Sequence, residues 1–167
     1  MQPLNERSYL SNAQAFFLAA LRIVVGWHFL YEGLIKLFTS SWTATGYLMD
    51  SKGFMAPVFR SMAASPDVLR VVDTLNEWGL VLIGAALILG LFTRLASIAG
   101  MLLLLFYYLS HPPFIGLNYA LPSEGSYFIV DKIVIEFFAL GVVYIFRAGL
   151  FAGLDSLLSR NRITETE

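Results

Sequence analysis

An imidazole, a carboxylate and two cations stand inside a stretch apolar enough to sit in lipid. Residues 21–38, LRIVVGWHFLYEGLIKLF, contain Arg22, His28, Glu32 and Lys36. On a helix, His28, Glu32 and Lys36 follow one another at i, i+4 and i+8 and drift across roughly 80° of one face. Arg22 falls at the edge of that face. An ionised side chain at the bilayer centre costs roughly 3 kcal/mol or more, so this stripe is expected to look inward at partner helices or water. A buried imidazole beside a carboxylate can pass protons, and His28 and Glu32 are the pair nearest the centre. The plainer alternative is an intrahelical Glu32–Lys36 ion pair, with Lys36 and Arg22 snorkelling toward opposite interfaces.

A later apolar run repeats the arrangement with Asp131, Lys132 and Glu136. If the first and last apolar segments are adjacent and antiparallel, both charged sets lie at similar depth toward the outer face. They then either neutralise each other and fix register or share a reaction. The candidate catalytic residues are therefore His28, Glu32, Lys36, Lys132 and Glu136. Gly26 and Gly33, seven apart and on the stripe side, would let a neighbouring backbone approach closely. Together with His111, at the end of a third apolar segment, they are the candidate cofactor-contact positions. A lone interfacial histidine such as His111 is more often structural. Bis-histidine haem needs two facing imidazoles at like depth, and His28 and His111 are separated by about half a bilayer on this reading. The chain has no cysteine, which excludes disulfides, thiolate metal sites and a dithiol relay. It has no cluster with metal-ligand spacing and no glycine-rich nucleotide motif.

The elements that must hold these groups are helices in a membrane. Of 167 residues 57% are hydrophobic and only 14% charged, against about 25% charged in soluble domains. A net charge of −1 gives no case for nucleic acid. The N-terminus does not read as a secretory signal, because Glu6 precedes Arg7, Arg22 interrupts the apolar run and no small-x-small site follows. Spans are expected at about 14–38, 76–92, 95–110 and 127–147, each judged against the roughly 20 residues a bilayer needs. Ser11 or Asn12 would cap the first. The second belongs to a helix starting at Ser65-Pro66-Asp67, with a capping hydroxyl, Pro at the first position and an acid in the first turn. Thr93-Arg94 would make a tight turn, His111-Pro112-Pro113 would stop the third helix, and Ser126 would cap the fourth.

Two outer connections follow, at about 39–75 and 111–126. In the first, Met55, Val58, Phe59 and Met62 recur at helical spacing near Lys52 and Arg60, which predicts a short amphipathic helix. Arg70, Asp73, Asn76 and Glu77 would stand above the bilayer. Trp42, Tyr47, Phe54, Phe114, Tyr119 and Tyr127 suit an interfacial aromatic belt. The expected fold is all-α, an integral membrane four-transmembrane-helix bundle in a single domain. Arg7, Arg94, Arg147, Arg160 and Arg162 share the side of the termini, which the positive-inside rule assigns to the cytoplasm.

The pattern Arg22-x3-Gly26-x2-Phe29-x3-Gly33-x2-Lys36, the stretch 84–94 ending LILGLFTR and the closing GLFAGLD at 149–155 resemble the DoxX/DoxD family of small four-helix membrane proteins. Arg22, Gly26, Gly33, Lys36, Thr93, Arg94 and Asp155 are the matching positions. The resemblance implies a redox context: DoxD-like members form a subunit of a thiosulfate:quinone oxidoreductase, and DoxX members are linked with membrane redox complexes. The expected function is thus a quinone-linked subunit of a bacterial inner membrane. It would take electrons from an extracytoplasmic protein docked on 39–75 and 111–126, and His28, Glu32 and Glu136 would exchange protons with the quinone. A non-catalytic scaffold for an outer enzyme or transport complex is the alternative, and a homo-oligomer is open in either case. A transporter has little support without internal duplication.

Overall fold

The computed structural model describes residues 10–120, 128–151 and 153–156. Among them the chain is all-α, in the order α1 (Asn12–Phe38), α2 (Thr45–Met49), α3 (Ala56–Ala64), α4 (Pro66–Leu89), α5 (Thr93–Ser110) and α6 (Lys132–Ile145), closed by a 3₁₀ turn at Ala148–Leu150. The helices α1, α4 and α5 are each long and apolar enough to cross a membrane. At 14 residues, α6 is shorter than the expected fourth span. The expected Ser126 cap, Tyr127, Glu6, Arg7, Arg160 and Arg162 lie outside the described residues.

Local chemistry sets the helix ends. Ser11 caps α1 through a reciprocal capping box with Gln14. Asp131, expected as a pocket charge, does line the cavity and also caps α6 by accepting from the Val134 backbone N–H at 3.0 Å. Ser65 occupies the cap position of α4, but its hydroxyl makes no capping bond; Pro66 at the first position and Asp67 in the first turn mark the start as expected. The turn between α4 and α5 comes earlier than Thr93-Arg94. Gly90 closes α4 at φ 65°, Phe92 follows in the same left-handed region, and Thr93 already opens α5.

Packing is antiparallel throughout. The α1 helix lies along α4, α5 along α6, and α4 on α5 and α1 on α6 complete the set. Gly26 and Gly33 make the first of these contacts possible. A Cβ on Gly26 would sit 3.0 Å from the Ile88 backbone N, and one on Gly33 2.7 Å from Val81 N. They face α4, about a quarter-turn from the charged stripe, and the close backbone approach expected of them is made there. Beneath lies a dry core of Leu87, Leu140 and Val143, with Phe29, Leu80 and Leu104 at its edge.

At the end bearing the 90–92 turn, called inner after the orientation expected from the sequence, three of the family-matching residues converge: Arg22, Thr93 and Asp155. Arg22 does not snorkel: it is fully buried and donates from Nη1 to the Ala148 carbonyl at 3.2 Å. The Asp155 carboxylate accepts from Phe92 N at 2.8 Å and Thr93 N at 3.0 Å. An anion thus caps the positive N-terminus of α5 and holds a turn whose non-glycine Phe92 sits at φ 49°. Asp155 N in turn donates to the Gly90 carbonyl at 2.8 Å. We expect Asp155→Ala to remove about 2–4 kcal/mol of stability, read as a lowered thermal midpoint in detergent.

The opposite, outer end carries a cap. Ala44, Leu48 and the α3 residue Phe59 form a second small core with Met55 and Met62, as the amphipathic spacing predicts, although Val58 is exposed. Asp73 ties the cap down by accepting from Ala44 N at 2.8 Å. The hydroxyls of Ser51 and Ser110 meet at 2.5 Å, and Arg60 donates to the Ser51 carbonyl at 2.9 Å.

Candidate functional site

A cavity of about 600 Å³ lies between the outer halves of the long helices and the cap, within the size range of ligand sites. His28, Glu32, Lys36, Lys132, Glu136 and His111 all line it; Gly26 and Gly33 do not. The pairing that brings α1 and α6 together is His28 with Glu136, whose Nδ1 and Oε1 lie 2.5 Å apart. Glu32 is 4.0 Å from the other ring nitrogen. The imidazole is thus held between two carboxylates, one on its own helix and one across the seam. His28 and Glu32 keep 35% and 46% of their side-chain surface exposed, so the seam between α1 and α6 is not sealed.

Lys36 forms a second pole. It donates to the Tyr107 hydroxyl at 3.3 Å and stands over the Trp42 and Tyr107 rings, 5.1 and 5.4 Å from their centroids. Tyr107 donates to Asn76 Oδ1 at 2.5 Å, and Asn76 is itself buried. The plainer Glu32–Lys36 ion pair is therefore not what orients Lys36. Aromatic faces and a hydroxyl do so, which leaves a cation directed at the cavity.

The outer wall is aromatic. His111 stacks on Tyr47 with ring centroids 3.8 Å apart and on Tyr119 at 4.6 Å. Its Nδ1 meets the Ser110 hydroxyl at 3.1 Å. Tyr119 donates to the Pro112 carbonyl at 2.8 Å, and burial with Asp50 nearby pushes its phenol up to about 12. Burial also raises the Tyr47 phenol well above its usual range. For His111, burial lowers the pKa below the ordinary 6.5, with Asp50 opposing and Lys52 assisting. The folded state thus resists protonation of this ring. Above about pH 6.5 neither state binds the proton, and below it the unfolded chain gains the proton first. The contribution of this ring to stability should accordingly fall as pH drops from 7 toward 5, and thermal unfolding across that range should show the loss in wild type relative to His111→Phe.

Sequence reasoning missed Asn76 and Tyr107 as site residues and assigned Trp42, Tyr47, Phe114 and Tyr119 to an interfacial belt, whereas all of them line the cavity. Asn76 was expected above the bilayer. The available signal was a single amide opening an apolar run and one phenol, at i+3 from a leucine-rich stretch, that needs a buried partner. Among the described residues of the expected belt, Phe54 is the most exposed, at 77%. Among the described residues no group of three or more histidine, aspartate or glutamate side chains could hold a metal ion.

Comparison with known proteins finds no match among curated proteins and none among solved structures. The family model for DoxX matches residues 17–112, more than half of the chain. The matched region carries Arg22, His28, Lys36, Asn76 and Tyr107; Glu136 and Asp155 lie beyond it. This chain belongs to the DoxX family of membrane proteins.

Proposed function

We propose that the chain is the membrane subunit of a quinone-linked redox system, with α6 as a fourth span and both termini on the cytoplasmic side of a bacterial inner membrane. The observation that carries this reading is the His28–Glu136 pair at 2.5 Å, inside a cavity whose other pole is Lys36 with Tyr107. A quinone head group is a flat apolar ring with two acceptor oxygens. The cavity offers it apolar walls in Phe29, Leu80, Leu104 and Ile133 and donors at both poles. A bound quinone would supply two-electron, two-proton chemistry, which the side chains of this cysteine-free protein do not.

The residues divide the remaining work. His28 holds a proton at Nδ1 or Nε2 and can exchange it with a ligand oxygen, while Glu136 and Glu32 stabilise its protonated form. Lys36 and the Tyr107 hydroxyl orient and polarise the opposite end. Lys132, at the first turn of α6, adds a further cation to the wall. The open seam beside His28 and Glu32 suits lateral access from lipid. Electrons come from a carrier protein docked on the outer cap.

The test is to purify the protein from its native membrane in mild detergent and extract the sample for quinones. Quinone in fixed ratio to the chain, and lost in Glu136→Leu, is the expected result. Wild-type protein that carries no more quinone than Glu136→Leu contradicts the reading. A second reading, a non-catalytic scaffold, draws on Phe54 and Ile115, which are 77% and 78% exposed on the outer cap. It would prevail if His28→Leu left cellular function intact while Phe54→Ser abolished it.

A further inference from the structure

We propose that water, protons and water-borne solutes reach the His28–Glu136 pair from the outer side alone, so that the site is a one-sided vestibule with no path to the inner face. The inference rests on the reading of α6 as a span but not on the identity of the ligand.

The placement of the lining is the first argument. On α1 the lining residues are His28 and those that follow it, and on α4 they stop at Leu80; on α5 they begin at Leu104, and on α6 they stop at Glu136. With the helices antiparallel, every one of these positions falls in the outer half. The remainder of the wall comes from the two outer connections, including Thr43, Gly46 and Phe114, which are exposed.

The inner half supplies the second argument. Immediately below the cavity, Leu87, Leu140 and Val143 have no exposed surface, and Phe29 and Leu104, which form the cavity's inner wall, have almost none. A Cβ on Gly100 would already collide with Leu140 at 2.8 Å, so α5 and α6 leave no gap there. Between α1 and α4, the Gly84 carbonyl lies 3.1 Å from where a Gly26 Cβ would stand. Below that plug, Arg22 is buried against Ala148, and the closing segment is bonded across the 90–92 turn. Polar groups thus exist at the inner end, yet several layers of apolar side chains separate them from His28. A proton does not cross such layers without a polar or hydrated path. Whatever proton His28 takes or gives is exchanged with the outer compartment.

The chain has no cysteine, so single thiols report access without background. Gly46→Cys marks the mouth, where a new Cβ meets nothing within 4 Å. Leu104→Cys and Leu80→Cys mark the depth, and exposed Arg94→Cys marks the inner face. A charged, membrane-impermeant maleimide is applied to sealed membrane vesicles of the two orientations. The expected result is labelling of Gly46→Cys, Leu104→Cys and Leu80→Cys from the outer side with none from the inner side, and the reverse for Arg94→Cys. Labelling of either deep position from the inner side, or of neither deep position from any side in folded protein, overturns the proposal. Quinone extraction from the same preparations separates the two readings. Outer-only labelling without bound quinone removes the ligand and keeps the vestibule. Bound quinone with inner-side labelling does the opposite.

Discussion

Gly84→Leu is expected to yield no folded protein. A Cβ at this position would lie 2.7 Å from Leu30 Cα and 2.6 Å from the Gly26 carbonyl oxygen, both backbone atoms that cannot swing aside. The whole length of α1 would have to move off α4, separating the most extensive helix contact in the structure. Overpacking a well-filled core costs about 1–3 kcal/mol even where side chains can adjust, and here they cannot. Loss on this scale exceeds a good part of the marginal stability of a domain this size. Gly79→Ala, on the same helix, meets nothing within 4 Å and should be neutral or slightly stabilising. Size-exclusion profiles and thermal midpoints of the two variants check the contrast, and a folded Gly84→Leu would show that the α1–α4 approach is not as close as described.

The second large effect belongs to Glu136. Replacing it by leucine leaves the half-buried His28 imidazole facing the cavity without its partner across the seam, and the loss of one charge-assisted hydrogen bond to a partly exposed ring is about 1 kcal/mol. The fold should survive, since Glu136 is outside the dry core, with a modestly lower thermal midpoint. Quinone affinity should fall several-fold, since each 1.4 kcal/mol of lost interaction is a factor of about ten. Glu136→Gln, which keeps a hydrogen-bond acceptor but not the charge, should fall between leucine and wild type. Equal affinity for all three would show that the carboxylate does not bear on the ligand.

The long helices were legible because hydrophobic runs and caps are local signals: Ser11, Pro66 and the 111–113 stop each act within a turn of their own position. The adjacency of α1 and α6 was legible as well, because unpaired charges in lipid must find each other. Three things escaped. The direction of Gly26 and Gly33 was misjudged because they lie only a quarter-turn from the stripe, and which neighbour fills that quarter-turn depends on tertiary packing. Arg22 resembled a snorkelling residue because its partners, the Ala148 carbonyl and the closing segment, are more than a hundred positions away. The cavity's aromatic wall was hidden for the same reason: Tyr47, Tyr107, His111 and Tyr119 come from three parts of the chain, and only the folded cap stacks them.

The most direct test of the central claim is a double-mutant cycle on quinone binding. Purified wild type, His28→Leu, Glu136→Leu and the double variant are titrated with a short-chain naphthoquinone, and affinities are read from intrinsic fluorescence quenching. If the pair acts as one unit on the ligand, each single variant loses most of the affinity, the double variant loses little more, and the coupling energy exceeds about 1 kcal/mol. Independent, additive losses, or wild-type protein that binds no more tightly than the double variant, would contradict a quinone site built on His28 and Glu136.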